Sequence, residues 1–181
     1  MIPLDAFDLV LFGGSGDLAM RKLLPALYYR HRDSANDPQR SRWRIIGVGR
    51  EMQSRDAYLA NVEAQARKFV AAGDFDEAAW SEFAACLDYV ALDAREAGDY
   101  QRLASLLADA PAKVRVFYLA TAPVLFASIC ESLGVAGLVT PDSRVVLEKP
   151  LGRDLASARR INEQVGAIFR EEQIYRIDHY L

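Results

Sequence analysis

Four residues near the start of the chain, Gly13-Gly14-Ser15-Gly16, join an apolar run at 9–12 to a stretch with helical spacing. A strand that stops at glycines and restarts at once as a helix commits a chain to a βα unit, and so to a layered α/β fold. Gly14-x-Gly16-x-x-Ala19 fits the pattern G-x-G-x-x-[GA]; counted from Gly13, the same residues fit G-x-x-G-x-x-A. Each small residue has a physical task. One glycine turns the chain sharply, another lets backbone approach a pyrophosphate, and a small residue at Ala19 lets the helix sit close to the strand. The helix N-terminus, at Asp17 and Leu18, offers unpaired N–H groups and a partial positive charge to phosphates. Ser15 adds a hydroxyl. The turn therefore implies a dinucleotide, the alternative being a tight strand–helix turn with no ligand.

The same alternation continues along the chain. Apolar runs at 9–12, 43–48, 87–92, 114–119, 144–147 and 174–177 predict strands. Helical spacing at 17–30, 56–70, 76–86, 100–107, 123–133 and 155–169 predicts helices between them. Pro25 falls inside the first helix, where a proline kinks, and Asp154 is a candidate N-cap for the last. Residues 31–42 are polar, with Asn36, Asp37 and Pro38, and read as a loop; His31 is placed there and given no chemistry. Parallel strands need crossovers of about a dozen residues or more, and these spacings supply them. The expected class is α/β: a Rossmann-like, doubly wound, mostly parallel sheet with helices on both faces, one unit over 1–181.

Bulk properties remove other classes. With 181 residues and a net charge of -3, the chain has room for a core but no electrostatic reason to take nucleic acid as a partner. Its longest apolar runs fall far short of the roughly 20 residues a membrane helix needs, so no membrane partner is expected. The first residues lack the basic and apolar regions of a signal peptide. Cys86 and Cys130 are far apart and show no metal-ligand spacing. They read as buried apolar thiols in a reducing cytosol, which gives a cytoplasmic expectation and no metal.

Ligands of such sheets bind outside the carboxyl ends of the strands. The second strand ends Ile46-Gly47-Val48-Gly49-Arg50. An NAD site commonly has a carboxylate there, whereas a guanidinium pairs with the 2′-phosphate of NADP. Arg50 thus argues for NADP, against the alternative of a solvated arginine at a strand end. The third and fourth strand ends nominate Leu92-Asp93 and Ala120-Thr121-Ala122-Pro123. After the fifth strand comes Glu148-Lys149-Pro150-Leu151-Gly152, which sets a lysine where it can meet a substrate anion or hydroxyl; a cis Pro150 stays open. Asp178, His179 and Tyr180 stand near the last residue. Neighbours on an extended strand face opposite ways, so Asp178 and His179 serve different partners. A polar terminus without chemistry is the plainer account of these residues taken alone.

Together these segments resemble one family. Gly13-Gly14-Ser15-Gly16-Asp17-Leu18-Ala19 with Lys22-Leu23 and Pro25-Ala26-Leu27 is similar to the opening of glucose-6-phosphate dehydrogenases. Arg50, Glu148-Lys149-Pro150-Leu151-Gly152 and Arg176-Ile177-Asp178-His179-Tyr180-Leu181 follow in the family's order. The family usually has alanine at position 14 and often phenylalanine at 151. The resemblance implies oxidation of glucose 6-phosphate at C1 to 6-phosphogluconolactone with NADP reduction, the first step of the oxidative pentose phosphate pathway. It implies that Lys149 lies between substrate and nicotinamide, that His179 and Tyr180 bind the sugar phosphate, and that Asp178 orients a base histidine. It also implies that the base, the continuing Gly-Lys of the last motif and a dimer- or tetramer-forming α+β domain lie outside 1–181. On that expectation this is the N-terminal coenzyme domain, weakly active or inactive alone. Two alternatives remain: a non-catalytic NADP-binding or sensing module, and another NADP-dependent reductase. A short-chain reductase lacks support, because Tyr118 is followed by Ala122 where a Tyr-x-x-x-Lys pair needs lysine.

Overall fold

In the computed structural model, residues 6–37, 42–108 and 114–178 are described. His179 and Tyr180 lie outside the described residues. The strands are β1 (Phe7–Phe12), β2 (Arg44–Gly49), β3 (Leu87–Ala91), β4 (Val114–Leu119), β5 (Arg144–Glu148) and β6 (Ile174–Ile177). They form one sheet in the order β3-β2-β1-β4-β5-β6. Every adjacent pair is parallel, so the sheet is wholly rather than mostly parallel among the described residues. The chain winds outward from β1 to β3, returns to β4 on the other side of β1, and winds out again. That reversal opens a crevice at the carboxyl ends of β1 and β4.

The sheet buries one face along its width and the other over β1, β2 and β3, whose strands carry apolar residues in both phases of the two-residue period; on β4, β5 and β6 that second face is only partly covered, with Tyr175 46% exposed. Val10, Phe12, Ile46, Val48, Phe117, Leu119, Val145 and Leu147 point to one face. There they meet Leu103 and Leu107 of α4 (Tyr100–Leu107), Phe126 and Ile129 of α5 (Phe126–Val135) and Val165 of α6 (Leu155–Gly166). Leu11, Ile45, Leu87 and Tyr89 point to the other face. They meet Leu24 and Tyr28 of α1 (Leu24–Asp33), Tyr58 and Val62 of α2 (Arg55–Phe69), and Trp80 and Phe83 of α3 (Glu77–Ala85).

Local chemistry explains the element ends. Asp154 caps α6 by accepting from the Ser157 amide at 2.7 Å, and the Ser157 side chain returns the bond in a capping box. Pro25, expected inside the first helix, falls at the start of α1. Ahead of it is a wide π-type turn at Ala19–Leu23, in which the Leu24 amide donates to the Ala19 carbonyl. His31 corrects the sequence expectation. It belongs to α1, not to a loop, and is 1% exposed, with its ring against Trp43 and Phe83 at 5.7 and 5.6 Å. The helical period carries Leu24, Tyr28 and His31 down one stripe, so the imidazole lands in the core.

At the amino ends of the strands, Asp8 is wholly buried. It accepts from Arg44 Nε at 2.9 Å and Arg44 Nη2 at 3.1 Å, and Arg115 Nε lies 3.9 Å away. The arginines also donate to carbonyls at the end of α4, Arg44 to Leu106 and Arg115 to Leu107. No described helix is long and apolar enough to cross a membrane.

Candidate functional site

The glycine turn closes over the end of β2. The Gly13 and Gly14 amides both donate to the Val48 carbonyl at 2.9 Å, and the Gly16 amide donates to the Gly13 carbonyl at 2.9 Å. Gly13 has a φ of 81°, in the left-handed region, and a Cβ there would run into the Ala120 carbonyl. Gly14 is the close-approach glycine, but what it approaches is protein. A Cβ on it would lie 2.6 Å from the Gly47 Cα and 2.9 Å from the Val48 nitrogen. Ala19 is fully buried behind the turn. Sequence reasoning did not connect Gly47 to this arrangement. A side chain at Gly47 would collide with the hydroxyl of Tyr58, which donates to the Gly14 carbonyl at 3.1 Å. Tyr58 thereby pins the turn to α2, and burial pushes its phenol well above the ordinary range. The signal was present as a glycine, Gly47, inside the strand predicted at 43–48, a mark of close approach.

A cleft of about 310 Å³ opens beside this turn. Phe12, Gly13, Ser15, Gly16, Gly49, Arg50, Leu92 and Asp93 line it, joined by Ala94, Arg95, Thr121 and Leu125. The cleft therefore gathers Gly13, Ser15, Gly16, Arg50, Leu92 and Asp93 from their separate segments. Gly14, Asp17, Leu18, Ala120 and Lys149 do not line it. The Asp17 side chain is 93% exposed and faces Arg21 at 3.9 Å, and Ala120 is held by its amide bond to the Phe12 carbonyl at 3.0 Å. The Leu92 amide donates to the Gly49 carbonyl at 2.8 Å, which ties the ends of β2 and β3 together. Asp93 bends back on its own loop, its carboxylate accepting from the Arg95 amide at 3.0 Å. Two groups in the cleft stand without protein partners among the described residues. Thr121 Oγ1 is buried and makes no hydrogen bond, and the exposed guanidinium of Arg50 makes no ion pair.

A second set of side chains lies past the ends of β5 and β6. The Lys149-Pro150 bond is cis. The Lys149 amide donates to the Ile177 carbonyl at 3.0 Å, extending the β5–β6 ladder by one residue. Lys149 Nζ is 3.6 Å from Asp178 Oδ2, so the structure brings together two residues that the sequence treated apart. Both are about half exposed. Glu148 accepts from the Tyr118 hydroxyl, whose pKa is raised by burial and by the neighbouring carboxylate.

The comparisons with known proteins follow the same outline. A model of the glucose-6-phosphate dehydrogenase NAD-binding domain matches residues 10–181. Glucose-6-phosphate 1-dehydrogenase of Mycolicibacterium smegmatis is 49% identical over 99% of this chain and 36% of its own length. The Rhizobium meliloti enzyme of that name is 44% identical over 100% of this chain and 36% of its own length. The crystal structure of the Mycobacterium avium enzyme superposes with a TM-score of 0.85 at 34% identity, over 98% of this chain and 36% of that one. A glucose-6-phosphate dehydrogenase solved with its substrate gives 0.83 at 31% identity, over 99% of this chain and 38% of that one. The chain thus spans about a third of the length of the relatives it matches. On the match across nearly all its residues, the chain belongs to the glucose-6-phosphate dehydrogenase family and corresponds to its NAD-binding domain.

Proposed function

We propose that this chain binds NADP in the cleft beside the glycine turn and serves the NADP-dependent oxidation of glucose 6-phosphate to 6-phosphogluconolactone. The family match supports the reaction class. The observation that carries the choice of coenzyme is Arg50, an unpartnered guanidinium at the end of β2 with no carboxylate in its place.

The cleft fits a dinucleotide on its own terms. Its floor at Gly13 and Gly16 has no side chains to fend off a pyrophosphate. The buried Thr121 hydroxyl, left without a protein partner, is an acceptor and donor that a ligand satisfies. Gly13, Ser15 and Gly16 would hold the phosphates, and Arg50 the 2′-phosphate. The bound coenzyme supplies the hydride acceptor. Lys149 donates a hydrogen bond to the sugar and places its charge near the substrate phosphate or hydroxyl. Asp178, already 3.6 Å from Lys149, is the carboxylate that orients an imidazole base and stabilises its protonated form. That imidazole is not supplied by the described residues, whose one histidine, His31, is sealed in the core. His179 and Tyr180 complete the sugar-phosphate site in this reading, and this chain by itself turns over weakly or not at all.

Thermal shift with matched NADP and NAD concentrations tests the assignment. NADP raises Tm more than NAD, and Arg50→Ala removes the difference. Equal shifts with Arg50 intact refute it. For the substrate side, Lys149→Ala abolishes any response to glucose 6-phosphate.

A further inference from the structure

Arg95 lies in the same cleft as Arg50, and nothing in the sequence analysis singled it out. Gly49 of β2 pairs with Ala91 of β3, so the segments that follow these two strands leave the sheet side by side. The Leu92 amide bond to the Gly49 carbonyl keeps them together. The turn after β3 is tightly made. The Asp93 amide donates to Asp99 Oδ2 at 3.0 Å, the Glu96 amide to the Asp93 carbonyl at 2.9 Å, and the Arg95 amide to Asp93 Oδ1 at 3.0 Å. This turn fixes the backbone that carries Arg95, and one oxygen of the Asp93 carboxylate is taken up by the Arg95 amide.

Arg102, which follows the same turn, is committed: it donates to Asp99 and to the Ala91 carbonyl. The guanidinium groups of Arg50 and Arg95 have no hydrogen bond or ion pair among the described residues. Two unpaired cations lining one cleft raise its positive potential and favour an anion between them. A phosphate monoester carries a charge of about -1.5 to -2 at neutral pH and has three acceptor oxygens, more than one guanidinium can satisfy.

We propose that Arg95 is the second cation of a two-arginine clamp on the 2′-phosphate of the coenzyme, Arg50 closing from the end of β2 and Arg95 from the loop after β3. The proposal rests on the coenzyme assignment made above and sharpens it: selectivity for NADP belongs to a pair of residues. A guanidinium stacked on the adenine ring is the competing role, and it would serve NAD and NADP alike.

Titration calorimetry of this chain with NADP and with NAD separates these possibilities, with 2′,5′-ADP and 5′-AMP as competitors. In the clamp, Arg95→Ala weakens NADP by about tenfold, the size of one charge-assisted hydrogen-bonding pair, and moves the NAD Kd less than about twofold. Arg95→Ala also makes the salt dependence of NADP binding shallower, and Arg95→Lys, which keeps the charge, recovers part of the loss. Binding of 2′,5′-ADP falls with Arg95→Ala while 5′-AMP is unaffected. Arg95 is exposed, so the variant keeps the Tm of the parent without ligand. Equal losses for NAD and NADP overturn the clamp in favour of stacking, and no loss for either overturns it outright. A parent chain that binds neither coenzyme overturns the coenzyme assignment itself, and the clamp with it.

Discussion

Asp8→Asn is the most informative single change outside the cleft. Asp8 has no exposed surface, and both its oxygens accept from Arg44, at 2.9 and 3.1 Å. Asparagine keeps the shape but turns one acceptor into an N–H donor that must face a guanidinium. It also removes the negative charge that offsets two cations, Arg44 and Arg115. Burial already holds the Arg115 pKa below its ordinary value, with Asp8 opposing that shift and Arg44 reinforcing it. Breaking a buried pair from one side costs about 3–5 kcal/mol. Arg44 has 18% of its side chain exposed and regains some hydration, so the lower end applies, about 3 kcal/mol. For a chain of this size that is a Tm loss of about 6–12 °C. Urea unfolding followed by far-ultraviolet dichroism measures it, and the midpoint moves while m stays constant. Asp8 is near the start of β1, roughly 17 Å of strand from Gly13, so the coenzyme binding proposed for the folded protein does not change. A loss under about 1 kcal/mol, or a Kd that shifts in step with stability, refutes the account of this cluster as a structural brace.

Three further outcomes are expected. Gly13→Ala places a Cβ at a φ of 81° against the Ala120 carbonyl; it costs at least about 2 kcal/mol and abolishes coenzyme binding, measured by unfolding and by calorimetry. The Asp154 carboxyl is held below its ordinary pKa by the Ser157 amide and hydroxyl. Its stabilising share is present above the unfolded pKa and is lost as pH falls through the lowered folded value, so Asp154→Asn lowers Tm at pH 7 and the difference closes as the carboxyl protonates in acid. Burial pushes the Cys130 thiol up to about 12; in the native protein at pH 8 it does not react with an aromatic disulfide reagent, and it reacts at once in guanidinium, as a Cys130→Ser control demonstrates.

Much of the fold was legible because its signals are local. The run at 114–119 and the period at 100–107 are the bounds that β4 and α4 take. The glycine turn was legible for the same reason: a strand, a sharp turn and a helix follow one another within a few residues. His31 was misplaced because its neighbours from 32 to 42 are polar, while its burial depends on Trp43 and Phe83. The tight packing of Gly14 on Gly47 was not legible, because chain order does not display a contact between the ends of adjacent strands. Lys149 and Asp178 lay in separate motifs until β5 and β6 paired and set them 3.6 Å apart.

The sequence by itself determined that strands and helices alternate, that the first turn must use glycine, and that an arginine follows the second strand. These follow from periodicity, backbone freedom and residue identity, which act over a few residues. Tertiary structure alone decided that β4 returns beside β1 to open the crevice, that Thr121 and Arg95 share it with Arg50, and that Asp8 is locked between two arginines. Those outcomes depend on which strand lies next to which and on how the sheet is covered. They are energies of contact between distant segments, and only the closed sheet brings the segments within reach.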